Sequence, residues 1–211
     1  FTVSSLSSTP SNNTADYLVV AGGGSGGVRA PGNANAGGGA GGMRFSASTF
    51  TAAGPAAPRA ATGITLTAAA FPITIGGGGA GKAPQNPGTP GNDGSNSVFS
   101  TITSTGEGGD GGGLPTAFGS NGTPCGSYRY FSYGGGAGNS PDYGTGAAGG
   151  SGSGGNSGGS GFPGNPSPAD AAKPGGTNTG GGGGGAGAGA GHPFDSGSGA
   201  SGIIVIRYKF Q

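Results

Sequence analysis

The sequence predicts a mainly β and irregular fold, in which a bundle of polyglycine II helices is combined with a small sheet of short strands and no α-helix. Three observations carry this expectation. Of 211 residues, 59 are Gly and 16 are Pro, the two residues that most often interrupt regular structure. Ile, Leu, Val and Phe together number 27, below the share with which a chain usually buries a full apolar core. Those few apolar residues are concentrated in short stretches, and only 15 residues are charged, for a net charge of +1. A disordered segment is instead polar throughout and highly charged.

The strand-like stretches are 1–6, 17–21, 64–67, 71–75, 98–102 and 203–210. Each is rich in β-branched or aromatic residues and bounded by Gly, Pro, Ser or Asn. The last, GIIVIRYKF, is apolar on both faces at first and amphipathic later, which suits pairing inside a sheet near the start of the chain. Glycine runs lie between them at 22–27, 37–42, 76–81, 106–113, 134–138, 144–161, 175–191 and 197–202. Their uneven lengths exclude a fixed-period solenoid. Adjacent glycines, as in GGGGGGAGAGAG at 180–191, disfavour a collagen triple helix, where only every third residue must be Gly.

Consecutive glycines suit the extended left-handed helix with three residues per turn and a rise of about 3.1 Å. That helix makes no internal hydrogen bonds, so its N–H and C=O groups must pair with neighbouring helices. Without Cβ atoms the helices approach closely enough to do so on several sides, which explains why Ala and Ser are the main interruptions. Each lateral bond contributes about 0.5–1.5 kcal/mol net, and together they offset the large conformational freedom that glycine loses on folding. The long run 144–161 folds back in this reading, with Asn156 as its turn. The connecting segments 28–36, 43–62, 82–92, 114–133, 139–143, 162–174 and 192–196 hold the Pro, Arg, Asn and most aromatic residues and read as surface loops. The whole chain, 1–211, reads as one glycine-rich domain, and its start at Phe1 suggests the C-terminal part of a longer product.

Sequences that imitate catalytic or nucleotide motifs fail on context. Gly22, Gly24 and Gly27 fit GxGxxG after the strand YLVVA, but no helix and no acidic residue follow at the spacing a dinucleotide needs. GGGGAGKA at 76–83 fits GxxxxGK, yet Ala83 replaces the Mg²⁺-binding hydroxyl residue, and Pro84 and Pro87 forbid the required helix. His192 is the sole histidine, so no multi-histidine metal site exists, and its GHPFDSG setting with Asp195 reads as a turn. Glu107 and Asp110 sit in a glycine run rather than facing each other across a cleft, as a glycosidase pair would. Asp93 or Asp110 leaves an isolated calcium site open. The expectation is therefore a protein that is not an enzyme, with no cofactor and no metal site.

Partners are narrowed by charge. The eight basic residues are spread from Arg29 to Lys209, without the clustering that phosphate binding needs, so nucleic acid is not expected. No apolar run approaches 18 residues, so no membrane insertion is expected either. Cys125, the single cysteine, cannot form an internal disulfide. The best recognition segment is CGSYRYFSY at 125–133, which gathers Tyr128, Arg129, Tyr130, Phe131 and Tyr133. Aromatic and Arg side chains dominate binding hot spots. The same segment is also read as a cap that buries its rings over the bundle. Arg44 and Phe45, with Phe50, form a second and weaker candidate of the same type, and Phe162 and Phe194 read as packing anchors.

YLVVAGGGSGG at 17–27, ITIGGGGAG at 73–81, GSNSVFS at 94–100 and SGIIVIRY at 201–208 together resemble the glycine-rich domain of bacteriophage tail-fibre and related virion proteins. The chain is more distantly similar to tail-fibre tip adhesins of T-even-like phages, in which loops at the end of a polyglycine II sandwich bind a bacterial surface receptor. The resemblance implies a virion or extracellular location, and as partners a host cell-surface protein or glycan and other fibre subunits. It transfers no catalytic residue. The rival expectation is a structural fibre, virion-decoration or filament subunit, in which terminal strands join copies into a homo-oligomer by edge pairing.

Overall fold

The computed structural model describes residues 1–28, 35–46, 60–83, 88–106, 112–116, 119–125, 127–138, 171–189, 192–193 and 195–209. The expected run 144–161 with its turn at Asn156, and Phe50, Glu107, Asp110, Phe162 and Phe194, lie outside them. The class is mainly strand and irregular, with small, mostly antiparallel sheets and, among the described residues, no helix longer than the 3-10 turn Pro10–Asn12.

A central sheet is built on β1 (Thr14–Val20), flanked by β13 (Ile203–Tyr208) and β2 (Met43–Ser46), with β3 (Ala60–Ala61) parallel to β2 and β4 (Ile64–Thr65) against the start of β1. The last strand thus pairs with the first, as expected, but it lies at the edge of the sheet and not inside it. Residues Ala15 to Val20 are all buried, because both faces of β1 are covered. On one face Leu18 and Val20 pack with Met43, Phe45, Leu114 and Phe131. These last two come from a second sheet, β8 (Gly112–Pro115), β10 (Tyr128–Phe131) and β9 (Thr123–Cys125), in that order. On the other face Ala15, Tyr17 and Val19 pack with Leu66, Phe71 and Phe99. A third sheet of β5 (Ile73–Thr74), β6 (Ser97–Phe99) and β7 (Ile102–Ser104) supplies Phe99. The hairpin β11 (Ala188–Gly189) and β12 (His192–Pro193) stands apart.

Several expected boundaries move. Residues 1–6 form no strand but one bridge, Thr2 to Ala70, with Phe1 packed against Phe71 and Tyr208. The stretch 98–102 is two strands, divided where Ser100 takes a positive φ of 55°. The segments 43–62 and 114–133, expected as loops, contribute β2, β3, β8, β9 and β10. Each carries large apolar residues at positions that alternate with polar ones, a signal shortened to four residues or fewer and so masked by the glycine around it.

Beyond the sheets the chain continues into extended segments that bond sideways with a period of three. Along 22–28, Gly22, Ser25 and Val28 donate to Ser95, Asn92 and Thr89; Gly23 and Gly26 donate to Ala200 and Gly197; Gly24 and Gly27 donate to Gly39 and Ala36. Every third N–H thus returns to the same neighbour, as a three-residue helical repeat requires. Carbonyls of the same segment accept from Gly79, Gly183 and Ala186, so 22–28 is surrounded by 35–42, 76–82, 89–95, 180–186 and 196–202. Among the described glycines only Gly119, Gly122 and Gly180 have a positive φ. Gly180 closes the turn at 177–180 that sends the chain back into the bundle, with Asn178 also at 55°.

Sheets and bundle share one register. Val20 faces Ile203 in the sheet, and Gly23 and Gly26 then bond Ala200 and Gly197. Val20 faces Met43, and Ala21, Gly24 and Gly27 then bond Gly42, Gly39 and Ala36. Where side chains end, the chain changes from bonding two neighbours every second residue to bonding several every third.

Candidate functional site

The aromatic segment is held by glycine as much as by apolar packing. In β10, Tyr130 pairs with Gly113 of β8, and a Cβ added at Gly113 would stand 3.0 Å from the Tyr130 ring. The absence of that Cβ lets the ring lie across the strand. Phe131 points into the core beside Leu114, under Gly122, where a Cβ would come within 2.6 Å of the ring and the backbone has φ 84°. Alternation along β10 then places Tyr128 and Tyr130 on the side opposite Phe131. Tyr130 and Tyr133 meet with ring centroids 5.6 Å apart at 52°. Tyr128, Arg129, Tyr130 and Tyr133 are all partly exposed.

Phe131 and Phe45 are corrections to the expected recognition set. Both are enclosed in one core cluster with Leu18, Val20 and Met43, so neither ring reaches the surface. Burial follows from their place in strands whose one face is the sheet interior, whereas a loop would have left them free. Arg44 is exposed, but its register partner is Val19, whose side chain belongs to the other core face. Arg44 is therefore separated by the central sheet from the partly exposed tyrosines, and the two form no single surface, although Phe45 and Phe131 share one core.

On that other face, Tyr17, Arg44, Ala61, Thr101, Ile102 and Thr103 border an open hollow of about 280 Å³. In β1 the fully buried Asp16 accepts a hydrogen bond from Ser46 Oγ at 2.9 Å, and the same Oγ accepts the Tyr17 N–H at 3.0 Å. Burial raises the Tyr17 phenol above its usual 10.0; Arg44 acts against this shift and Asp16 adds to it.

The glycine motifs that imitate nucleotide sites donate N–H groups into the bundle. The N–H groups of Gly22, Gly24 and Gly27 donate to Ser95, Gly39 and Ala36 carbonyls. In 76–83, Gly76 donates to Ser97 Oγ, Gly79 to the Gly23 carbonyl and Lys82 to Ser196 Oγ. These hydroxyls are a feature sequence reading missed. Ser25, Ser97 and Ser196 are buried and complete the lattice where a backbone acceptor is lacking, Ser25 Oγ taking the Asn92 N–H at 2.8 Å.

A segment outside the expected runs also joins the lattice. In TPGNDGS at 89–95, Gly91 and Gly94 face inward, where a Cβ would overlap the carbonyls of Ser25 and Gly22, while Pro90 and Asp93 face solvent. A peripheral helix needs glycine only every third residue. A family model for a glycine-rich domain matches residues 2–209. The chain belongs to the glycine-rich domain family. Among curated proteins none matches this glycine-rich domain.

Proposed function

We propose that this glycine-rich domain is a virion tail-fibre or tail-tip component that presents surface side chains on a rigid polyglycine scaffold to a host cell-surface protein or glycan, without catalysis. The observation that carries the reading is the partly exposed group Tyr128, Tyr130 and Tyr133 on a three-stranded sheet anchored by buried Phe131 and Leu114. Rigid aromatic side chains lose little entropy on binding and stack on sugar rings or apolar protein surface. The resemblance of the marker segments to phage tail-fibre domains supports the virion context. Half-burial of the same rings favours a second reading, a structural fibre, decoration or filament subunit in which they serve packing alone.

The test is attachment of the purified domain to host cells, with Tyr128, Tyr130 and Tyr133 changed together to Ala. Loss of binding by about tenfold or more, with an unchanged circular dichroism spectrum, supports recognition through this surface. Wild-type domain that shows no affinity for host surfaces, or a triple variant that binds as the wild type does, rules it out.

A further inference from the structure

Among the described residues the sheet edges are guarded, with one exception. Exposed strand edges recruit other strands unless they are short, charged or interrupted by Pro. Among the described residues β3, β5, β11 and β12 have two residues each and β7 has three. The edges β8 and β9 contain Pro115 and Pro124. By contrast β13 is six residues long and, among the described residues, ends the central sheet and pairs only with β1. Its residues Ile203 to Ile206 hold no charge and no Pro.

This edge also leaves both cores unfinished. Ile203 and Val205 flank one core cluster and Ile204 and Ile206 the other, and all four are only partly buried. A strand that completes it must be apolar on both faces, a requirement met by β13 of a second copy. We propose that β13 is a self-association edge, where two copies of this chain join by antiparallel pairing of their terminal strands. About a two-fold axis through Val205, Ile204 faces Ile206 of the second copy on one side of the sheet and Val205 faces its own equivalent on the other. Arg207 then faces Ile203 of the second copy, which keeps the two guanidinium groups at opposite ends of the seam. The joined sheet continues both cores across the axis, and the inference does not depend on host-surface binding.

Sedimentation equilibrium of the 211-residue chain is expected to show a monomer–dimer equilibrium. Residues directly opposite in an antiparallel pair have Cα atoms about 4.5–5.5 Å apart, within disulfide reach. In a Cys125→Ser background, mild oxidation should therefore link the Val205→Cys variant to itself and leave the Ile206→Cys variant unlinked. The Val205→Lys variant, which opposes two like charges at the axis, should weaken dimerisation by about 100-fold or more. A chain that stays monomeric at all concentrations, or a dimer that Val205→Cys fails to link, overturns the proposal.

Discussion

Phe45 in the sheet platform and Gly183 in the bundle are both buried, but by different matter. Phe45 is enclosed by side chains, Leu18, Val20, Met43, Leu114 and Phe131. Gly183 is enclosed by backbone: it donates to Gly24, accepts from Gly38, and has Gly197 where its Cβ would be. The platform is therefore stabilised by apolar area and tolerates changes of shape to the extent that neighbours can repack. The bundle is stabilised by lateral hydrogen bonds and excludes volume almost absolutely, because the obstructing atoms are carbonyls fixed by their own bonds. The difference explains how a chain with so few large apolar residues folds: it has two small cores and a lattice.

The largest way to break this contrast is Gly183→Val, which forces the 180–186 and 196–202 segments apart. It is expected to cost more than about 4 kcal/mol, seen as loss of the cooperative urea transition. Mild destabilisation would mean that the lattice yields as a side-chain core does. Phe45→Ala leaves a cavity in the platform and should cost about 3–5 kcal/mol, again by urea unfolding, with the chain still folded. A smaller effect comes from alkali. Because the folded Tyr17 phenol lies above 10.0, the native state keeps a proton that the unfolded state has lost. Stability from this group is full below about pH 10 and falls as pH rises through the raised value. Tyr17→Phe should flatten that decline in thermal melts between neutral and strongly alkaline pH.

The smallest expected effect sharpens the comparison most. A Cβ at Gly77 meets nothing within 4 Å, whereas one at the adjacent Gly78 meets the Gly199 carbonyl. Gly77→Ala is expected to be neutral or to stabilise by about 0.4–1 kcal/mol through the unfolded chain; Gly78→Ala should clearly destabilise. Equal melting temperatures for the two would show that the run 76–82 is only a linker.

What the sequence by itself determined is the division of labour. Adjacent glycines rule out packed side chains, and their N–H and C=O groups demand lateral partners, so a polyglycine lattice is legible from the runs at 22–27, 76–81 and 180–186. The GIIVIRY strand is legible from its two apolar faces. The tertiary structure alone decided which segments became neighbours, and so which glycines matter. Nothing in the local sequence tells Gly77 from Gly78, since only the position of the 196–202 segment makes one open and the other closed. Nor does TPGNDGS look like a glycine run, because a helix at the rim of the bundle needs glycine only on the side that meets 22–28. For the candidate site the residue types were legible, and the burial was not. MRFS and YRYF each hold one ring that turns inward, and the ring that does so is fixed by strand register against β1 and β8, a long-range choice that four residues among glycines cannot encode.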